Sequence, residues 1–492
     1  MRKLIRIAAP ISLALAVLGL VAGAQLRIPA DPEPRYREFT LTDVTIVNPL
    51  VDRRSGRALA VRDGKIVSIA EEGRSTPVGE VVADFAGHTV LPGIVNMHVH
   101  FPAYSPLGLT EYFGLLQVAH GVTTVREAGD MDGTTLAAAR IAFEEEGRVG
   151  PRVFGCGPFV GGHDPRWTNS VVVESPDEAA AVVADLAESG ARCIKLYDNL
   201  DPPRIRALAA AAEEAGIAAM GHVPFGFTYE EALIPDTQHL MGVARPEDIE
   251  RGDHVVFRIV DWRRVDDARM DEVVAASRAR GFAHTPTLVT NYQLRHFADY
   301  ESARRDPEVM LLPRLFRDVA WSPVEGIPMY RGLEEEDHAT VRDALAKKLV
   351  MVRKLHEAGV RLHVGTDTQQ PFVIPGAGAH AEMRLFEQAG IEAEAVWAYA
   401  TWRAADTLGV PDLGRIVEGA PADLLIFRDN PSRDLEAMKS LVAVVAAGRL
   451  YYREDLEASI EEFRAHYSGW LVDALSASVA RRIIRNNVKR DH

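Results

Sequence analysis

Two histidines one residue apart, His98-Val99-His100, close an apolar run that begins at Ile94. If that run is a strand, residues two apart project to the same side and both imidazoles face one point. Taken alone, a His-x-His pair is weak, because surface strands carry many. Its weight comes from Lys195, His222, His239 and Asp367, each of which ends a further short apolar or β-branched segment. Neutral imidazoles and carboxylates suit Zn²⁺, with Mn²⁺, Co²⁺ or Fe²⁺ as alternatives. Two divalent cations a few Å apart share a hydroxide, lower the pKa of water and polarise a carbonyl. A lysine with its ordinary pKa would repel such a pair, but a desolvated lysine beside cations favours its neutral amine. That amine reacts with CO₂ to give a carbamate, a bidentate anion able to bridge both metals. The expected cofactors are therefore two divalent ions and a CO₂-derived carbamate on Lys195.

These residues need a scaffold that sets strand ends side by side. From Ile94 to Asp367 the chain alternates between strand and helix patterns. The expected strands run Ile94–His100, Val122–Arg126, Arg152–Cys156, Cys193–Tyr197 and Ile217–His222. Three more end near His239, at Leu288 and at Asp367. Ser175-Pro176-Asp177-Glu178 reads as a capping box and Asp201 as the cap of a helix that Gly216 ends. Eight strands separated mainly by helices predict an α/β fold, a parallel (β/α)8 TIM barrel over residues 94–409, with catalytic groups at the C-terminal strand ends. The polar, helical insertion Asn291 to Asp337 follows the seventh strand and is a candidate lid. Strand-rich pieces at both chain ends, 38–93 and 410–455, are each too small to close a core and predict one shared β-sandwich. Residues 25–37, with Pro29, Pro32 and Pro34, read as a linker.

Softer candidates surround the metal set. Tyr197 lies two residues beyond Lys195 and is placed to polarise a substrate carbonyl. His163, after Gly161-Gly162, sits on a loop at the catalytic face. Arg126 ends the second strand and is a candidate for binding a substrate anion, and His380 follows the eighth-strand loop. His284 begins a strand, the wrong end for catalysis. Cys156 and Cys193 are expected at different heights on neighbouring strands, too poorly matched for a disulfide.

Composition narrows the setting. The chain has 492 residues and a formal net charge of -15, which repels a phosphate backbone and excludes nucleic acid as a natural partner. A small-molecule substrate is the expected partner. Arg2, Lys3 and Arg6, an apolar stretch from Ile7 to Val21 and Ala22-Gly23-Ala24 form a signal-peptide pattern over residues 1–24, with cleavage before Gln25. The expected location is periplasmic or extracellular, or membrane-anchored if the segment is retained. In residues 456–492, Leu456, Ile460, Phe463, Tyr467, Trp470 and Ala474 form one apolar helical stripe, followed by Arg481, Arg482, Arg485, Lys489 and Arg490. That extension is expected to pack on the barrel or on another subunit of a homo-oligomer. Contact with an anionic membrane surface is the alternative.

The chain resembles the amidohydrolase superfamily, specifically its imidazolonepropionase-like and Xaa-Pro dipeptidase-like branch, over about residues 38–455. The likeness rests on Leu91-Pro92-Gly93-Ile94-Val95-Asn96-Met97-His98-Val99-His100, Gly121-Val122-Thr123-Thr124-Val125-Arg126 and Ile194-Lys195-Leu196-Tyr197. It continues in Gly221-His222-Val223-Pro224, Gln238-His239-Leu240, Gly365-Thr366-Asp367 and Ala420-Pro421-Ala422-Asp423-Leu424. The resemblance implies His98, His100 and Asp367 on one metal, His222 and His239 on the other, and carboxylated Lys195 between them. It also implies that Asp367 takes a proton from the bridging hydroxide and delivers it to the leaving group. Two departures stand out. Pro224 occupies a position where dipeptidase-like members commonly carry an aromatic residue, and Lys195 is absent from true imidazolonepropionases. The expected activity is metal-dependent hydrolysis of an amide, cyclic amide or peptide-like C–N bond. Ester, lactone or phosphotriester hydrolysis and a catalytically silent, metal-containing binding protein are the alternatives.

Overall fold

The computed structural model describes residues 23, 25–74, 76–251 and 255–487. Apart from Gly23 the expected targeting segment lies outside the described residues, as do Lys489 and Arg490 of the basic end.

Strands from the two ends of the chain form one eight-stranded sheet. Its order is Arg449–Tyr452, Leu441–Ala446, Leu424–Phe427, Thr89–Pro92, Phe39–Asn48, Asp52–Arg62 and Lys65–Glu71, with Glu80–Val82 beside Phe39–Asn48. The junction between chain ends is antiparallel, with Leu425 opposite Leu91 and Ile426 opposite Val90. Period-two alternation tells both faces apart even though every residue of Leu424–Phe427 is buried. Leu424 and Ile426 join Phe39, Leu41, Ile46 and Leu59 in the sheet's own core, while Leu425 and Phe427 pack into the larger core of the helical region.

That larger region carries two parallel sheets flanked by helices, a TIM-barrel-like α/β fold. One sheet holds Ile94–Val99, Val122–Glu127 and Arg152–Gly155; the other runs Ser170–Val172, Phe159–Gly161, Cys193–Leu196, Ala218–Gly221, Asp236–Gln238, Ala283–Thr285 and Arg361–Leu362. The third expected strand, Arg152–Cys156, ends at Gly155, and an unexpected short strand, Phe159–Gly161, follows it. Gly157, at φ 70°, and Pro158 separate the two, so Arg152–Gly155 pairs with the second strand and Phe159–Gly161 with the fourth. At the far side, the amide of Met97 donates to Val364 O (2.8 Å) and that of Thr366 to His98 O (3.0 Å), which lays the segment leading to Asp367 alongside the first strand.

Several expectations shift. The seventh strand ends at Thr285 rather than Leu288, because Leu288–Gln293 is already helical, its first two amides donating to the buried Glu382 carboxylate. Asp201 caps Pro202–Glu214 by accepting from Arg204 N, whereas Ser175 makes no side-chain cap and a 3₁₀ turn precedes the helix Ala179–Glu188. Cys156 and Cys193 form a disulfide, correcting the expectation that they stand at different heights. Arg192 N donates to Gly155 O (2.8 Å), which sets both cysteines level, with their Cα atoms 4.3 Å apart. The C-terminal stripe breaks at Gly469 into Arg453–Ser468 and Trp470–Asn487. Leu456, Ile460, Phe463 and Tyr467 are buried and Phe463 stacks on Tyr112 (5.0 Å), but Trp470 and Ala474 face solvent. No helix among the described residues is long and apolar enough to cross a membrane.

Candidate metal centre

The six expected side chains come from the ends of five barrel segments. His98 is the fifth residue of its strand and His100 follows that strand; His222 and His239 also stand just past their strands, and Lys195 lies within Cys193–Leu196. The last strand, by contrast, ends at Leu362 rather than at Asp367, which instead precedes an isolated bridge from Thr368 to Val99. His239 and Asp367 hold left-handed backbone, at φ 61° and 56°. That conformation costs a non-glycine residue about 1–3 kcal/mol and persists where the surroundings enforce it. Gly365 is part of that enforcement: a Cβ there would meet Thr285 Cγ2 at 2.3 Å and His98 Cβ at 3.0 Å, so only glycine lets the Asp367 segment lie against the first strand.

The donors converge. Asp367 Oδ1 lies 3.3 Å from His98 Nε2 and 3.4 Å from His100 Nε2, and Oδ2 lies 3.8 Å from His239 Nδ1. The Nε2 atoms of His222 and His239 face each other at 3.1 Å. Each imidazole is gripped from behind. Gln238 Oε1 sits 2.6 Å from His98 Nδ1, Glu127 Oε1 3.3 Å and Gly129 O 3.2 Å from His100 Nδ1, and Thr287 Oγ1 2.6 Å from His239 Nδ1. Asp198 Oδ1 stands 3.8 Å from His222 Nδ1. Outer partners of this kind fix ring orientation and tautomer in metal sites.

Electrostatics prepare the set for cations. Burial, reinforced by the charge of Lys195, pushes His98 down to about 3 and His222 down to about 4, and burial holds His239 well below its ordinary value. These rings are neutral and present lone pairs, the protonation state a metal requires. Burial opposes charge on His100 too, but hydrogen bonds to Asp367 and Glu127 outweigh it and lift the ring to about 9. A cation binding at Nε2 displaces that proton. Burial works against the Asp367 carboxylate, and the surrounding imidazoles, His98 first, nevertheless hold it well below the carboxylate range. Lys195 is 1% exposed, and burial pushes its amine down to about 7.

The residues therefore fit divalent cations. His98 Nε2 is buried with no hydrogen-bond partner, and His98, His100 and Asp367 bring one donor atom each within 4.8 Å of one another. Above them lies a cavity of about 150 Å³, bounded by Phe159, Tyr197, Trp321, Tyr330 and Gln370 among others.

Tyr197 faces this cavity, its ring 4.6 Å from that of His222. The other softer candidates lie elsewhere. Arg126 is fully buried beneath the site, donating to Asp236 (2.6 Å) and Met97 O (2.8 Å), so its charge is already neutralised and no substrate anion reaches it. His163 is exposed on its loop, where its carbonyl accepts from Asn199, and His380 Nε2 sits 2.7 Å from the carbonyl of His120, both away from the cavity lining. The insertion does cover the site, through Phe316, Ala320, Trp321, Ile327, Met329 and Tyr330. The orienting groups Glu127, Asp198, Gln238 and Thr287 escaped the sequence reading, although three of them adjoin a residue it singled out.

A TIM-barrel-like fold with imidazoles and a carboxylate converging beside its strand ends places the chain in the class of α/β proteins with a candidate divalent-metal site. The amidohydrolase family profile matches residues 89–451, and the chain belongs to that family. It is a hydrolase acting on carbon–nitrogen bonds. A 5-methylthioadenosine/S-adenosylhomocysteine deaminase of Halobacterium salinarum is 25% identical over 418 residues, covering 80% of this chain and 81% of that protein. Among solved structures, a bottromycin amidohydrolase is 25% identical with a TM-score of 0.66, covering 89% of this chain and 93% of that one. A putative prolidase from Bifidobacterium longum is 22% identical with a TM-score of 0.63, covering 87% and 98%. A Xaa-Pro dipeptidase with bound methionine is 20% identical with a TM-score of 0.59, covering 84% and 99%.

Proposed function

We propose that this chain is an exported amidohydrolase that holds two divalent cations, Zn²⁺ foremost, and cleaves an amide, cyclic amide or peptide-like C–N bond. The observation that carries the reading is the meeting of four buried or half-buried imidazoles with Asp367 below a single small cavity. His98, His100 and Asp367 would hold one cation, His222 and His239 the other, and Lys195, as a carbamate, would bridge them. Bound cations supply Lewis acidity and lower the pKa of water toward neutrality.

The chain's own residues do the rest. Asp367, anionic and within 3.4 Å of two imidazoles, accepts the proton of the attacking water and returns it to the leaving nitrogen. Tyr197, at the cavity wall, orients the substrate carbonyl. Trp321 and Tyr330 of the insertion exclude bulk water, which strengthens every charge interaction inside. The disulfide supports an exported enzyme, since such bonds persist in oxidising compartments. Exposed Arg481, Arg482 and Arg485, at the end of the last helix, supply the charge for contact with an anionic membrane surface.

The test is a panel of N-acyl amino acids, dipeptides and lactones offered to the Zn²⁺-loaded protein. Hydrolysis of amides or dipeptides at an enzymatic rate is expected. Turnover of lactones alone would move the reading to esters, and full metal loading with no turnover would leave a binding protein.

A further inference from the structure

Beside the metal cavity lies a second one of about 180 Å³. The two share Met131, Trp167, Phe316, Ala320, Ile327 and Gln369 as a common wall. On its far side the second cavity is lined by the C-terminal helix, through Ser476, Val479, Ala480 and Ile484, and its remaining surface includes Leu109 and Leu315. Several polar side chains in that wall are already engaged. Ser105 Oγ accepts from Leu107 N (3.2 Å), Ser476 Oγ donates to Val472 O (2.7 Å) and Asp132 Oδ1 accepts from Thr134 N (3.0 Å). Two residues of the shared wall are different: Trp167, whose Nε1 is buried with no partner, is one and Gln369 is the other. Its carbonyl accepts from Trp321 Nε1 (3.3 Å), but its side-chain Nε2 is buried with no partner, at the boundary of the two cavities.

From this juxtaposition we infer that the substrate carries an aryl or short alkyl arm, which lodges in the annex while a carbonyl or amide oxygen of the same molecule accepts from Gln369 Nε2. The inference rests on the amide-hydrolase reading and adds the substrate's apolar group to it. Size and chemistry agree: a dry protein cavity of about 150 Å³ with an apolar lining takes a benzene ring. An anionic arm would meet the Asp132 carboxylate in that wall and find only the neutral donors of Gln369 and Trp167, so burying it there is unfavourable. The C-terminal helix, beyond the region matched by the family profile, thereby becomes part of the specificity machinery.

The experiment compares phenylacetamide with acetamide as binding probes on the full-length, Zn²⁺-loaded protein by titration calorimetry. It is followed by kcat/KM on N-phenylacetyl and N-acetyl versions of one amino acid. Phenylacetamide should bind at least about tenfold more tightly, the scale on which apolar pockets discriminate, and the kcat/KM ratio should follow. Ala480→Trp fills the annex and should abolish the difference. Val479→Trp, at a half-exposed position that tolerates bulk, serves the same purpose if the first variant fails to fold. Gln369→Ala should weaken both probes to a similar degree and leave their ratio standing. Equal binding of the two probes, or a preference that survives a folded annex-filling variant, overturns the inference. Tight, annex-dependent phenylacetamide binding with no hydrolysis of any C–N substrate sustains the annex and sinks the amide reading. Amide hydrolysis indifferent to the arm does the reverse.

Discussion

The Nε2 atoms of His222 and His239 face one another across 3.1 Å, each on the residue that follows a barrel strand. Thr287 and Asp198 stand behind the two Nδ1 atoms, so the ring protons are drawn outward and the inner nitrogens keep their lone pairs. Two lone pairs at that distance repel unless a positive charge stands at them. A proton is a poor candidate, because burial holds both rings far below the ordinary histidine range. A divalent cation answers the same need without being lost at neutral pH.

Metal content is the first prediction. Purified protein should carry close to two divalent ions per chain, and added bicarbonate should raise the content of metal-depleted protein on reloading. Elemental analysis checks this. One ion, indifferent to bicarbonate, would make Lys195 an ordinary buried lysine. Chelation should also lower the unfolding midpoint, since ligands bound only to the folded state stabilise it, by about 2.7 kcal/mol at a hundredfold excess over Kd.

The chain also shows which parts of such a site a sequence exposes. Metal ligands were readable because they sit at strand ends, where apolar runs stop, and because their residue types have few structural uses in register. Their partners were not, since Glu127, Gln238 and Thr287 gain meaning only once neighbouring strands are aligned. Arg126 shows the converse: its position at a strand end is the same as that of a ligand, and only the burial of Asp236 reveals that its charge is spent internally. The disulfide was missed for a related reason. Heights of residues on adjacent strands depend on barrel stagger, and the break at Gly157-Pro158 that resets it leaves no period in the sequence. The annex was illegible because it joins residues from 102 to 484.

The disulfide gives a second prediction. Denatured protein should show no free thiol before reduction and two after it. Cys156→Ala together with Cys193→Ala should cost about 3–4 kcal/mol of stability, the chain-entropy value for a closed loop with the observed separation of 37 residues. Chemical denaturation of both forms measures it. Two titratable thiols in unreduced protein would remove the bond and its support for export.

Export itself predicts a mature N-terminus at Gln25, to be read by sequencing protein recovered from the cell envelope or medium. An intact Met1 end would instead mean an enzyme held at the membrane by residues 1–24.

His284 lies outside the metal set and gives a pH signature. Burial pushes it down to about 4, its ring stacks on Tyr229 (5.3 Å), and its Nε2 stands 2.8 Å from Ser277 Oγ. The unfolded chain protonates this histidine near pH 6.5 while the folded chain keeps it neutral to about pH 4, so stability falls as pH falls through that window. His284→Phe keeps the stacking and deletes the titration. Its loss of stability between pH 6.5 and 4 should be shallower by up to about 1.4 kcal/mol per pH unit, set against about 1 kcal/mol lost at pH 8 with the Ser277 bond. Unfolding free energies across that range test it, and parallel profiles would refute it.

Lys195 and Asp367 should separate under mutation. Lys195 is a buried amine whose charge acts on His98, His222 and His239 together, and replacing it removes the anion proposed to lie between the cations. Lys195→Ala should therefore lose metal, and a short carboxylic acid entering the vacated space should restore part of both metal and activity. Asp367→Asn keeps shape and one oxygen donor, so metal content should fall less. It cannot accept a proton from water, and general acid–base catalysis contributes about 10²- to 10⁴-fold, so kcat should drop by at least that factor on whichever amide the panel identifies. Metal analysis and turnover of both variants decide the matter. Near-normal turnover in Asp367→Asn would take the proton-transfer role from this carboxylate. Full metal content in Lys195→Ala would show that the four histidines and Asp367 hold the cations unaided, leaving the carbamate without a purpose.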